Sequence, residues 1–139
     1  MGIYLNPGNK GFLESICSEI YVDKTGMIEY TNKYLNTKQK YICVSRPRRF
    51  GKSMALEMLS AYYSRKCDSR ELFEGLKIGG DPRFREHLNQ YDVIYLNMQQ
   101  FLIRTKGRGV TEYLEEEVLE EIREEYGEFL KRQDLGLAD

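Results

Sequence analysis

The strongest constraint on the fold is a change of hydrophobic period near the middle of this 139-residue chain. Residues 41–45 form a compact apolar run, which is typical of a strand buried on both faces. Over residues 52–65 the apolar side chains instead recur every four positions in two adjacent rows, which predicts an amphipathic helix. These rows are Met54, Met58 and Tyr62, and Ala55, Leu59 and Tyr63. The sequence therefore predicts a strand, a tight basic loop and a helix in that order.

The loop between the two patterns has the residue types that hold phosphate groups. It reads Arg46-Pro47-Arg48-Arg49-Phe50-Gly51-Lys52-Ser53 and is followed by Met54. Phosphate binds to backbone N–H groups at a helix N-terminus, helped by a lysine and by a hydroxyl that ligates Mg²⁺. Gly51 would let the backbone turn, Lys52 would reach the β- and γ-phosphates, and Ser53 would coordinate the metal. We therefore predict that residues 46–54 bind ATP and Mg²⁺ in a variant Walker A loop, in which Arg46 replaces the usual first glycine.

A second apolar run, residues 92–98, predicts another buried strand. Two such strands joined by a helical crossover form a parallel, right-handed βαβ unit. We therefore predict an α/β fold, an incomplete three-layer fold of the P-loop NTPase type. Its core would occupy residues 39–139, after an arm and helices in residues 1–38. Further short helices are predicted at residues 12–19 and 25–35, and from Asp81-Pro82 onward.

The C-terminal segment is strongly acidic, whereas the rest of the chain is basic. Disordered acidic tails lack an apolar stripe, but this segment has one over nearly five helical turns. Its members are Leu114, Val118, Ile122, Tyr126, Phe129 and Leu130. We therefore expect a long amphipathic helix that begins near Thr111, with its glutamates in solvent.

Two stretches of the sequence resemble the predicted AAA-ATPase-like family of bacterial and archaeal proteins. They are residues 45–54 and the upstream Tyr21-Val22-Asp23-Lys24-Thr25. In that family the loop usually has the form Arg-Pro-Arg-Arg-Phe-Gly-Lys-Ser, so Arg46 agrees with the resemblance. Three further stretches are similar to the family: Asn6-Pro7-Gly8-Asn9 with Phe12, Leu72-Phe73 with Gly75-Leu76, and Leu96-Asn97-Met98. The resemblance spans nearly the whole chain.

The resemblance implies a P-loop ATPase. Members of the family often continue into an acidic strand motif and a nuclease-like C-terminal domain. Such a domain would make nucleic acid a possible binding partner. Hydrolysis needs a carboxylate at the end of a later strand to hold Mg²⁺. Asp92 instead begins its predicted strand, and the glutamates of residues 115–125 lie on a helix. We therefore expect an N-terminal fragment of an AAA-like ATPase domain, which contains no catalytic residue and binds ATP without hydrolysing it alone.

Other residues near the loop allow two interpretations. Arg48 and Arg49 could pair with phosphate in bidentate fashion or could be ordinary surface cations. Residues 21–25 could contact adenine or could be structural. Asn97, at the end of the second predicted strand, could position a water molecule.

Composition excludes several classes of function. The chain has no apolar run long enough for a transmembrane helix and no secretory segment, so we expect a cytoplasmic protein with no membrane partner. Cys17, Cys43 and Cys67 are odd in number and widely spaced, which predicts reduced thiols. His87 is the only histidine, so a zinc site with several imidazoles is excluded. GTP is disfavoured, because the stretch that begins at Asn32-Lys33 has Leu35 where guanine-binding motifs have aspartate.

Two alternative functions belong to other classes. One is a nucleic-acid-binding module that uses the basic loop together with Lys106 and Arg108. The other is a degenerate P-loop domain that binds proteins rather than nucleotides. We also expect self-association, because an incomplete sheet exposes an unpaired edge and the acidic helix could expose apolar surface.

Overall fold

The structure, a computed structural model, describes residues 3–49, 51–105 and 107–137. The described residues form two compact units: the first lies within residues 6–93, and the second within residues 3–5 and 94–137. Helices α1 to α4 and a 3₁₀ turn lie in the first unit, and α5 and α6 lie in the second. Their bounds are α1 Lys10–Ile16, α2 Gly26–Tyr34, α3 Lys52–Tyr63, α4 Arg70–Glu74, the 3₁₀ turn Lys77–Gly80, α5 Met98–Arg104 and α6 Val110–Leu137.

The first unit is built around α3, whose apolar face is buried as its four-residue spacing predicts. Tyr62 is fully buried and contacts the ring of Phe73 edge to face, with 5.4 Å between the ring centroids. Phe73 in turn stacks on Phe12 at 4.6 Å. The remaining buried core residues come from all parts of this unit: Ile28, Met58, Ala61, Ile78, Phe84 and Leu88.

Tyrosine hydroxyl groups of α3 form hydrogen bonds to neighbouring segments within this core. The Tyr62 hydroxyl donates to the Phe84 carbonyl at 2.6 Å, and the Tyr63 hydroxyl donates to Oδ1 of Asn32 on α2 at 2.6 Å. Burial raises the pKa of Tyr63 to about 12. Tyr63 is therefore neutral at physiological pH and can act as a donor.

The last carbonyl groups of α3 accept hydrogen bonds from Asn89 and Tyr91. Helices leave their last carbonyl groups without intrahelical partners. Asn89 supplies two donors: its side-chain amide bonds the Ala61 carbonyl at 3.1 Å, and its backbone N–H bonds the Tyr62 carbonyl at 2.7 Å. The N–H of Tyr91 bonds the Tyr63 carbonyl at 2.9 Å. These bonds fix where α3 ends.

The second unit is held by a carboxylate on α6. Glu121 accepts hydrogen bonds from the three successive backbone N–H groups of Ile3, Tyr4 and Leu5, at 2.7, 2.9 and 2.8 Å. Nearby, Tyr4, Phe101 and Val118 form a small buried cluster. The expectation that the glutamates of this helix all face solvent is therefore wrong for Glu121. The apolar face of α6 is otherwise found where it was predicted, although Phe129 and Leu130 lie outside the described side chains.

The predicted parallel βαβ core, and with it the three-layer P-loop NTPase-type fold, is wrong. The described part of the chain contains two isolated bridges and no β-sheet. Residues 41–45 are exposed coil, with Tyr41 86% accessible. A strand requires partners for its backbone groups, and residues 92–98 find theirs elsewhere. In the first unit the Val93 carbonyl accepts from the Asn6 N–H, and in the second the Tyr95 N–H donates to the Tyr4 carbonyl.

Two smaller expectations also differ from the structure. The helix predicted from Asp81-Pro82 is a series of turns, although Phe84 and Leu88 are buried as expected. The unpaired sheet edge that motivated self-association is absent from the described residues. The exposed apolar side chains of the second unit include Leu102 and Ile103 on α5.

Candidate functional site

The start of α3 has the backbone geometry that binds anions. Gly51 precedes the helix with φ 79° and ψ 22°, a left-handed conformation that glycine adopts without strain. Lys52 follows it in right-handed helical conformation, and the Ala55 N–H makes the first helical bond, 2.9 Å to the Gly51 carbonyl. This change of hand is the pattern of a backbone nest, in which successive N–H groups converge on one point. The N–H groups of the first turn carry the positive end of the helix dipole.

A cleft of about 370 Å³ lies beside this helix start. Its volume is within the range of small-molecule sites, which are largely apolar with a few polar groups. Most of its wall is apolar, and two cationic side chains, Lys24 and Arg49, complete it. The other lining residues come from α1, the segment before α2, and the start of α3: Phe12, Ser15, Ile20, Tyr21, Val22, Gly51, Met54, Ala55 and Met58.

The predicted nucleotide-binding residues divide into three groups. Arg49, Gly51 and Met54 line the cleft, and Arg49 has a left-handed backbone with φ 67°. Lys52 and Ser53 form the exposed first turn of α3. The remaining described residues of the loop, Arg46, Pro47 and Arg48, are exposed and do not line the cleft. Phe50 lies outside the described residues.

The residues of segment 21–25 divide between structural hydrogen bonds and the wall of the cleft, and the adenine contact stays a prediction. Asp23 and Thr25 are structural: Asp23 Oδ2 accepts from the Lys77 N–H at 2.8 Å, and Thr25 Oγ1 accepts from the Ile78 N–H at 3.1 Å. Asp23 Oδ1 also accepts from the Thr25 hydroxyl at 2.6 Å. Burial alone would raise the pKa of Asp23, but these hydrogen bonds outweigh it and hold that pKa below its usual value.

Three residues of the same segment instead line the cleft: Tyr21, Val22 and Lys24. Burial, and then the charge of Asp23, raise the pKa of the Tyr21 phenol. Tyr21 is therefore neutral at physiological pH and gives the cleft a flat aromatic surface.

Several other candidate residues have structural partners. Asn97 caps α5, where its Oδ1 accepts from the Gln99 N–H at 3.1 Å. Asp92 pairs with Arg65 at 3.4 Å in the first unit. In the second unit Arg108 pairs with Glu116 at 3.4 Å. Lys106 lies outside the described residues.

The metal-ligating chemistry near the loop is limited. Within the described ranges, no group of three or more His, Cys, Asp or Glu side chains could hold a metal ion. The Ser53 hydroxyl, exposed in the first turn of α3, is of the type that ligates Mg²⁺ together with nucleotide phosphates and water. The three cysteines are free thiols, as predicted. No described helix has the length and apolar character needed to cross a membrane.

Sequence reasoning missed part of the cleft. Phe12 and Ser15 on α1, and Ile20 after that helix, had no assigned binding role, because only tertiary packing brings them into the wall of the cleft. Lys24 was one residue of a segment with an open role. The sequence feature that could have drawn attention to Lys24 is its position between Asp23 and Thr25, whose side chains readily accept hydrogen bonds from backbone N–H groups.

Comparison with known protein families matches residues 14–136 to the AAA-ATPase-like family, which is described as predicted AAA-ATPase. The match covers the loop, residues 21–25 and most of the second unit. Neither curated proteins nor solved structures give a significant match.

Proposed function

Because the chain belongs to the predicted AAA-ATPase family, we propose that it binds ATP and Mg²⁺ at the start of α3 and in the adjacent cleft. The observation that carries this proposal is left-handed Gly51, which precedes helical Lys52 at the rim of the cleft. An anion-binding backbone, cationic side chains and an apolar cavity thus belong to one site. ATP has the complementary parts: a polyanionic triphosphate and a flat apolar base.

Each part of the loop has a distinct role in this proposal. The N–H groups of the first turn of α3 bind phosphate oxygens, and the Lys52 ammonium neutralises the outer phosphates. Ser53 supplies a hydroxyl ligand to Mg²⁺, which would balance the phosphate charge. Arg49 places a guanidinium in the cleft wall, where it can pair with a phosphate in bidentate fashion. Arg46, Pro47, Arg48, Phe50 and Met54 complete the proposed binding segment.

The cleft beside the helix start is proposed to hold the nucleoside. Its volume of about 370 Å³ is large enough for a base and sugar. Tyr21 offers an aromatic face, and Met54 a flexible, polarisable side chain. Stacking on an aromatic ring stabilises a base by about 1–3 kcal/mol in single-stranded nucleic-acid complexes, which sets the expected scale here.

Isothermal titration calorimetry with Mg-ATP tests the phosphate part of the site. Lys52→Ala removes a charged contact that contributes about 1.5–3 kcal/mol, so we expect the Kd to rise by roughly tenfold or more. Lys38→Ala is the matched control, because Lys38 is an exposed lysine of the same unit that does not line the cleft. Equal affinity of wild type and Lys52→Ala would contradict the proposal.

The metal role of Ser53 requires a separate comparison. Wild-type protein should bind ATP more tightly with Mg²⁺ than with a chelator present, because the ion joins the hydroxyl to the phosphates. Ser53→Ala should lose that difference while keeping the affinity for metal-free ATP. A variant that keeps the full magnesium effect would remove Ser53 from the metal site.

A further inference from the structure

A second lysine, Lys24, lies beside Gly51, the residue whose backbone forms part of the proposed phosphate nest. A Cβ atom built at Gly51 would lie 3.0 Å from Nζ of Lys24. The Lys24 ammonium therefore lies beside Gly51, although the two residues are far apart in the sequence. Lys24 and Arg49 also line the same cleft as Gly51.

The position of Lys24 is fixed by its two neighbours in the chain. Asp23 accepts from the Lys77 N–H, and Thr25, which is fully buried, accepts from the Ile78 N–H. These bonds anchor the backbone on both sides of Lys24 to the 3₁₀ turn. An anchored lysine loses less conformational freedom when its ammonium binds a ligand than a lysine on a mobile segment would.

We propose that Lys24 is a phosphate-binding residue of the nucleotide site, supplied from outside the loop. Its ligand is a phosphate group of a nucleoside triphosphate, and this inference rests on the proposed function. Two ammonium groups, those of Lys24 and Lys52, then serve one polyanion. The loop segment alone gives an incomplete phosphate site, and the Asp23–Thr25 anchor is part of the binding machinery.

A purely structural role for Lys24 makes a different prediction. In that case its charge would support the conformation of the loop, and its loss would lower the stability of the ligand-free protein. Lys24 is exposed, so as a phosphate ligand it should contribute little to that stability. The melting temperature without ligand therefore separates the two roles.

The test compares Lys24→Gln, Lys52→Ala and the control Lys38→Gln in the whole chain. Glutamine keeps most of the length of the lysine stem and removes only the charge. Calorimetry measures the Kd for Mg-ATP and for inorganic tripolyphosphate, a probe without base or sugar. Melting curves are recorded with and without each ligand.

We expect Lys24→Gln to melt like wild type without ligand and to bind both ATP and tripolyphosphate about tenfold or more weakly. Lys38→Gln should bind both as wild type does. If Lys24→Gln binds both ligands normally while Lys52→Ala is impaired, the Lys24 inference fails and ATP binding stands. If Lys24→Gln loses affinity only together with ligand-free stability, its role is structural and the inference fails. If wild-type protein binds neither ligand, the proposed function fails and the inference fails with it.

Discussion

Gly79 in the 3₁₀ turn should be among the least replaceable residues of the first unit. A Cβ atom at Gly79 would overlap the carbonyl group of Glu74 and would lie 2.8 Å from the Phe73 carbonyl oxygen. Both obstacles are backbone atoms, so no side chain can move aside to admit a methyl group. The adjacent Gly80 has open space where its Cβ would be. Gly79→Ala and Gly80→Ala therefore make the same chemical change in two opposite environments.

The magnitude follows from what the turn holds. To admit the methyl group the turn must move, and forced overpacking costs about 1–3 kcal/mol. Movement also strains the hydrogen bonds from Lys77 to Asp23, at 2.8 Å, and from Ile78 to Thr25, at 3.1 Å. Each such bond contributes about 0.5–1.5 kcal/mol. We therefore expect Gly79→Ala to lower the free energy of unfolding by about 2–6 kcal/mol, which is a fall in Tm of roughly 8–25 °C.

Urea and thermal unfolding followed by circular dichroism measure this difference. Gly80→Ala should stay within about 0.5 kcal/mol of wild type, as surface substitutions usually do. A Gly79→Ala protein that unfolds at the wild-type urea midpoint and Tm would refute the reasoning. So would an equal loss in both variants, because it would show that the cost comes from replacing glycine in a turn and not from the overlap.

Other substitutions test the remaining features of the site and the hydrogen bonds that stabilise the unit around it. Gly51→Ala forces alanine into φ 79° and should lower stability by about 1 kcal/mol and also weaken Mg-ATP binding. Gly107→Ala, at φ 87° and not in the cleft wall, should lower stability alone; melting curves and calorimetry distinguish the two. Asp23→Asn should lower the free energy of unfolding at pH 7, and this difference should shrink as the pH falls below 3.8. The folded pKa of Asp23 lies below 3.8, so its contribution is complete above the unfolded pKa and is lost as pH falls through the folded pKa; a Tm difference that does not change with pH would contradict this. Tyr62→Phe removes the 2.6 Å donor of a buried carbonyl and should cost about 1–3 kcal/mol in urea unfolding, while Tyr41→Phe, at a residue 86% exposed, should leave the midpoint unchanged.

Features that depend on a few neighbouring residues could be predicted from the sequence. The four-residue spacing placed α3 at residues 52–65, and the helix occupies Lys52–Tyr63. The helix at residues 25–35 was predicted in the same way and is Gly26–Tyr34. Helical hydrogen bonds join residues four apart, so the signal and the structure share one length scale.

The strands could not be predicted in this way, because a strand is defined by a partner. The composition of residues 41–45 indicates a backbone that favours extended geometry, but it does not identify a neighbour for that backbone. The run at residues 92–98 has the same ambiguity, and its hydrogen bonds go to the N-terminal arm. Glu121 shows the same limit for a side chain: nothing local distinguishes it from Glu120, although Glu121 alone of the two accepts the bonds of the arm in the described contacts.

The candidate site combines both kinds of feature, and this determines how each half must be tested. Gly51, Lys52 and Ser53 are contiguous, so their proposed roles could be inferred from the sequence, and a substitution there changes the proposed nest directly. Lys24 reaches the same point only through tertiary packing: the bonds of Asp23 and Thr25 to the 3₁₀ turn hold it beside Gly51. A change in that turn, such as Gly79→Ala, should therefore also weaken tripolyphosphate binding in protein that remains folded at low temperature. The affinity lost should resemble that of Lys24→Gln, because both changes would remove the same ammonium from the phosphate.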